Sequence, residues 1–159
     1  DIENEKLKKE MTKEFIDFYS QNIDRGSKPI NGVMEFLKWA KSKNISMAVC
    51  TNKQERLAVD LLKKLKMYDY FEYIAGSDTF SFNKPDPRHL TNVVEIIQGD
   101  IKKTIMIGDS EVDGKSAENA NIPFVLVKDG YTEKSSEEIK HDELIKDFKN
   151  FDKIIEKYL

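Results

Sequence analysis

The sequence predicts an α/β domain built on an open, doubly wound parallel sheet. Two observations carry that prediction. Short, almost wholly apolar runs of strand length recur along the chain, as they do in strands buried on both faces. Between them lie longer stretches whose apolar residues fall at three- and four-residue steps, the period of amphipathic helices. Strands and helices alternating in this way wind into a parallel sheet with helices on its faces. The 159 residues suit one core of ordinary size.

The elements follow in order. From residue 3 to about 22, Leu7, Met11, Phe15, Phe18 and Asn22 fall at helical spacing, with Lys8, Lys9, Glu10, Lys13 and Glu14 between them. Asp24 to Pro29 reads as a linker. Asn31 is expected to cap a helix whose core face is Val33, Phe36, Leu37 and Ala40, ending near Lys43 and Asn44. Ile45 to Cys50 is an apolar strand expected to be buried on both faces. A helix over 53–66 presents Leu57, Leu61, Leu62 and Leu65, and Tyr73 to Ala75 is the next strand. Pro87 opens a helix through Val93, Val94 and Ile97 that Gly99 stops. Thr104 to Ile107 and Ile122 to Val127 are two more buried strands. A short strand around Leu144 and Ile145 precedes a terminal helix ending at Leu159. No internal repeat or low-complexity segment interrupts the pattern.

Composition narrows the function. Lysine and arginine total 26 against 29 aspartates and glutamates, a net charge of −3 with the signs interspersed, so the footprint of a nucleic-acid binder is missing. A charged fraction of 35% beside a hydrophobic fraction of 39% is a folded rather than a disordered balance. No run approaches the roughly 20 apolar residues that cross a bilayer, and no signal-peptide pattern opens the chain. Cys50 is the single cysteine, so no internal disulfide calls for an oxidising compartment. A soluble, cytoplasmic, single-core protein without nucleic-acid or membrane partners is the expectation. Nothing here predicts an oligomeric state.

Ligands of open α/β sheets bind beyond the carboxyl ends of the strands, where helix N-termini offer backbone N–H groups. Thr51 and Asn52 follow the first strand. The loop from Gly76 to Pro85, which carries Lys84, follows the second. Gly108-Asp109-Ser110-Glu111-Val112-Asp113 follows the third. A hydroxyl, an amide, a lysine and carboxylates suit a phosphoryl group, which needs donors, a fixed cation and a magnesium ion. Thr51 with the N–H groups of Asn52 and Lys53 would cradle the phosphate, Lys84 would neutralise it, and Asp109 would hold the metal. Plainer roles stand beside these: Thr51 or Asn52 as a helix cap, Lys84 as a solvated loop lysine, Asp109 and Asp113 as a cap and a first-turn acid. Their joint appearance at three strand ends favours the phosphate site.

Other features carry less. Gly108 to Ser116 (GDSEVDGKS) misses the spacing of the nucleotide phosphate loop by one residue and sets three acids where polyphosphate would lie. Cys50 reads as an inert buried thiol. His89 and His141 have no partner at metal-ligand spacing. Tyr68, Tyr70, Phe71, Tyr73, Phe80 and Phe82 read as core and loop packing, and Trp39 as a half-buried helix residue.

The ordered set Thr51-Asn52-Lys53, Lys84-Pro85-Asp86-Pro87 and Ile107-Gly108-Asp109-Ser110-Glu111-Val112-Asp113 resembles the haloacid dehalogenase-like phosphatases, and among them the bacterial phosphoglycolate phosphatases. The likeness runs from about Pro29 to the C-terminus and takes in Ile122 to Tyr131. It implies a Rossmann-like core over 29–159, with 1–28 as the last helix of a helical cap and its linker. It also implies a magnesium-dependent phosphomonoesterase with an aspartyl-phosphate intermediate, acting on 2-phosphoglycolate or another small phosphomonoester. By position, Thr51, Asn52 and Lys84 would bind phosphate, Asp109 the Mg2+ ion, and Asp113 would orient a metal-bound water or Lys84.

One part of the family pattern is absent. No D-x-D-x-[TV] motif follows an apolar strand, so the nucleophile and general acid are missing, and with them the central first strand of the sheet. Its loss leaves buried backbone groups unpaired at about 1–3 kcal/mol each. The expectation is that these residues are the C-terminal part of a longer polypeptide, inactive alone, a reading that the Asp at position 1 accords with. The alternative is a catalytically inactive relative serving as a binding or interaction module.

Overall fold

A computed structural model describes residues 4–8, 10–12, 27–130 and 132–158. Residues 4–8 and 10–12 are helical, with Leu7 and Met11 exposed. Phe15, Phe18 and Asn22 of the predicted opening helix, the linker residues 24–26, Tyr131 and Leu159 lie outside the described residues. No described helix is long and apolar enough to cross a membrane.

From Val33 the alternation is that of the prediction. Helix α1 (Val33–Ser42) leads to β1 (Ala48–Cys50), α2 (Glu55–Lys64) to β2 (Tyr73–Ala75), and α3 (Arg88–Ile96) to β3 (Met106–Gly108). Helix α4 (Glu111–Ala120) precedes β4 (Phe124–Val127), and β5 (Glu143–Ile145) precedes the short α5 (Phe151–Ile155). All strand pairs are parallel: β1 with β2, Val49 opposite Ile74; β3 with β4, Ile107 opposite Val125; β4 with β5, Leu126 opposite Leu144.

The ladder breaks in the middle. Among the described residues, β1 and β2 form one sheet and β3, β4 and β5 another. The break accords with the absence of a central strand, and it corrects one expectation, the reading of the runs at 45–50 and 104–107 as strands buried on both faces. Every residue of β1 and β3 is only half-buried, whereas β4 is buried throughout. β4 has a partner on each side; β1 and β3 have one each, and the uncovered edge admits solvent.

β4 shows why the chain folds in layers. Its side chains alternate between faces. Val125 and Val127 join Val33 and Leu37 of α1 with Ile145, Phe148, Phe151 and Ile155 in one cluster. Phe124 and Leu126 point the other way, onto Ala117 of α4 and Ile139. Each such side chain, buried in full, contributes about 1.5–3 kcal/mol. Phe36 and Phe148 each meet Phe151 edge to face and close the first layer, and Trp39 is half-buried beside Phe36.

Several helix ends differ from the prediction. The N-cap of α1 is Gly32, at φ 80, not Asn31. The Asn31 amide instead donates to Asp147 Oδ2 at 3.1 Å, and its carbonyl accepts from the Phe148 N–H at 2.8 Å, tying α1 to the segment after β5. The left-handed residue that ends α3 is Gln98, one position before Gly99, whose N–H returns to the Val94 carbonyl. The terminal helix stops at Ile155, short of the expected Leu159.

Candidate active site

The Thr51 N–H continues the β1 ladder by donating to the Ala75 carbonyl. Its hydroxyl accepts from the Lys53 N–H at 3.1 Å, closing a tight turn. The Lys53 N–H, expected as a phosphate donor, is thus engaged within the turn itself. Neither Thr51 nor Asn52 caps α2. The N-cap is Gln54 without a side-chain bond, and Asp78, from the loop after β2, accepts from the Glu55 N–H at 2.8 Å. Asn52 reaches across instead, its amide donating to the Lys84 carbonyl at 3.0 Å.

The loop carrying Lys84 is pinned along its length. Thr79 accepts from the Gly76 N–H and donates to Glu55 Oε2 at 2.6 Å, while Ser77 donates to the Lys53 carbonyl. His89 is wholly buried beneath the loop, its Nε2–H donating to the Gly76 carbonyl at 3.1 Å. Burial holds this imidazole below its ordinary range, so it is neutral. Phe80 sets its edge on His89 and stacks with Phe82, which the Arg88 guanidinium covers at 4.4 Å. Arg88 also grips Asp86, drawing that carboxyl down to about 2.

Lys84 is no solvated loop lysine. Its ammonium donates to Asp113 Oδ1 at 2.5 Å, with the two side chains 8% and 7% exposed. The other Asp113 oxygen accepts from the Asp109 N–H, the Ser110 N–H and the Ser110 hydroxyl at 3.1, 3.2 and 2.8 Å. Asp113 stands at the third position of α4, and Ser110, not Asp109, is the N-cap of a reciprocal capping box. Two glycines make room for these acids. A Cβ on Gly108 would lie 2.5 Å from Asp113 Cβ, and one on Gly130 would collide with the Asp109 side chain.

Thr51, Asn52, Lys84, Asp109 and Asp113 all line one cavity of about 950 Å³. The strand ends thus bring the five predicted residues together. Glu111, Thr132 and Glu133 line it too, and the sequence reading assigned them no role. Thr132 donates to Glu111 Oε2 at 2.5 Å, and that bond lowers the Glu111 pKa. The one available signal was Gly130, placed just beyond the carboxyl end of an apolar run. Cys50, the last residue of β1, does not line the cavity, and its thiol is pushed up to about 12, chiefly by burial, which makes it a poor nucleophile at neutral pH. His141 stands apart, with Nδ1 2.6 Å from the Ile139 carbonyl.

The acidic donors facing the cavity are carboxylate oxygens, the ligand type of a hard cation. Among the described residues no cluster of three or more histidine, cysteine or acidic side chains forms a metal cage. That donor set fits magnesium, which takes one or two carboxylates and keeps waters and substrate oxygens. Chemically, the cavity offers a hydroxyl, turn backbone, a fixed ammonium and carboxylates: the means to hold a phosphoryl group.

Curated proteins of known name resemble the chain over most of its length. The chain is 39% identical over 138 residues to a phosphoglycolate phosphatase of Mesorhizobium japonicum, covering 87% of this chain and 61% of that protein. It is 42% identical over 134 residues to one of Agrobacterium fabrum, covering 84% and 58%. The chain therefore spans about 60% of the length of these curated relatives. A structure described as a predicted phosphoglycolate phosphatase from Haemophilus somnus superposes with a TM-score of 0.84 at 24% identity, over 89% of this chain and 64% of that one. A β-phosphoglucomutase from Clostridium difficile gives 0.78 at 23% identity, over 94% and 66%. At those identities the two structures show the fold alone. The family model of the haloacid dehalogenase-like hydrolases matches residues 1–127. The chain belongs to the haloacid dehalogenase-like hydrolases.

Proposed function

We propose that this chain supplies the phosphate- and metal-binding side of a magnesium-dependent phosphomonoester hydrolase working through an aspartyl-phosphate intermediate. The substrate is a small phosphorylated metabolite, 2-phosphoglycolate foremost, which the names of the curated relatives support. One observation carries the proposal: a turn hydroxyl, a buried paired lysine and a carboxylate converge on a single cavity from the ends of β1, β2 and β3.

In this reading Thr51 and the backbone at Asn52 donate to phosphoryl oxygens. Lys84, held in place by Asp113, faces the charge that accumulates on phosphorus-bound oxygen. When bound, magnesium would neutralise phosphoryl charge, with Asp109 as its protein ligand here. The attacking group comes from a D-x-D-x-[TV] strand seated between the unpaired edges of β1 and β3. Its first carboxylate forms the O–P bond as the ester P–O bond breaks, and its second carboxyl gives its proton to the leaving alkoxide. Water then cleaves the acyl phosphate, releasing inorganic phosphate. The half-burial of β1 and β3 supports a strand in that place. Without it the 159 residues bind phosphate and do not turn over. A single, non-disulfide cysteine and a metabolite substrate suit a cytoplasmic setting.

The test is phosphate release from 2-phosphoglycolate by the complete protein, with and without Mg2+. Lys84→Ala and Asp109→Asn each lower it by about 100-fold or more while circular dichroism retains the helical signal. Near-normal turnover in either variant removes that residue from the mechanism. No Mg2+-dependent release by the wild type overturns the whole reading. The absence of D-x-D-x-[TV] from these residues favours a second reading, an inactive relative acting as a binding module. An apolar strand ending in that motif elsewhere in the same polypeptide rules it out.

A further inference from the structure

Building on the proposed metal-assisted reaction, we infer that Thr132 is a positioning residue whose hydroxyl latches a loop over Asp109 and thereby tightens divalent-cation binding. The latch begins at α4, where Glu111 accepts the Thr132 hydroxyl proton at 2.5 Å, 21 residues along the chain. The same hydroxyl oxygen accepts from the Lys134 N–H at 3.2 Å, and the Thr132 N–H donates to the Gly130 carbonyl at 3.0 Å. One side chain thus joins the loop to the helix that opens beside Asp109.

The latched residues stand against Asp109. Gly130 lies so close to Asp109 that an added Cβ would strike its side chain. On one side is the cavity containing Thr51 and Lys84; on the other is a second cavity of about 370 Å³, bordered by Lys128, Ser135 and Ser136. Asp109, Gly130 and Thr132 line both, so these three residues stand between them. Loss of the latch frees Gly130 from its place against the Asp109 side chain and lets the two spaces merge there. Thr132 touches the carboxylate only through Gly130, so the expected effect lies at the low end of the roughly 10–100-fold that supports of a metal ligand exert.

The experiment uses the complete protein and Mn2+ as a spectroscopic stand-in, its binding measured directly by electron paramagnetic resonance. Thr132→Val weakens the Mn2+ Kd about 10-fold and speeds hydrogen exchange at the Glu133 and Lys134 amides. Thr132→Ser, which keeps the hydroxyl, restores both. In turnover assays Thr132→Val raises the Mg2+ needed for half-activation and leaves KM for the phosphoester unchanged. Equal Mn2+ affinity in Thr132→Val and wild type, or unaltered exchange at those amides, overturns the inference. So does a wild type that binds no Mn2+. A wild type that binds Mn2+ yet releases no phosphate defeats the proposed reaction instead, and the latch is then judged on affinity and exchange.

Discussion

The Lys84 ammonium and the Asp113 carboxylate, 29 residues apart in the chain, meet at 2.5 Å with both side chains less than a tenth exposed. The pair ties the loop after β2 to the first turn of α4. Lys84 is therefore held by a partner that itself accepts three further hydrogen bonds from Asp109 and Ser110. Removing one member of a buried pair leaves the other charged and uncompensated, which costs about 3–5 kcal/mol.

Lys84→Met is accordingly expected to lower the unfolding free energy by about that amount in urea titration. Asn at 113 still accepts from the Asp109 and Ser110 N–H groups, so Lys84→Met with Asp113→Asn recovers part of the loss. The double-mutant cycle gives a coupling of about 1–3 kcal/mol. Strictly additive single variants contradict the pairing.

His89 makes stability depend on pH in a definite direction. Burial lowers its folded pKa below the unfolded value of about 6.5, so the unfolded chain binds the proton first. Its contribution is complete above about pH 6.5 and declines as pH falls from there toward the folded pKa. Unfolding midpoints measured from pH 8 to pH 5 fall in the wild type. In His89→Gln, which keeps a donor for the Gly76 carbonyl, the slope is shallower. Identical slopes contradict the assignment.

Cys50 is expected to resist thiol reagents in the native protein. With its thiol raised to about 12, chiefly by burial, almost none is thiolate at pH 8. Labelling with a disulfide reagent is slow until urea exposes the site, then reaches one equivalent. Rapid labelling of the folded protein contradicts the burial of this thiol.

Gly108→Ala tests the close approach between β3 and α4. The new Cβ lies 2.5 Å from Asp113 Cβ, so strand and helix must move apart. A loss of about 1–3 kcal/mol is expected, seen as a lower urea midpoint with unchanged m-value. An unchanged midpoint means the two elements are not packed so tightly.

Much of the fold was legible because its signals are local. The leucines of α2 declare a helix through their period of 3.6, and the unbroken apolar run of β4 declares a strand buried on both faces. The strand-end motifs were legible for the same reason, since a parallel sheet places its site where strands end. Less was legible at the caps. Asn31 has the chemistry of an N-cap, yet Asp147 claims its amide and Gly32 takes the turn. Thr132 carried no motif, because its role arises from contact with Glu111 across 21 residues.

The sequence by itself determined the order of elements, the family resemblance, and which residue types stand at each strand end. Side-chain period, propensity and motif spacing are properties of neighbouring residues, so they survive without coordinates. Only the tertiary structure decided that Lys84 is buried against Asp113, that Asn52 holds the lysine loop, and that β1 and β3 are half-buried where β4 is buried throughout. Those facts depend on which distant groups pack together and which backbone edges find partners, and no local window of the chain contains both halves of such a contact.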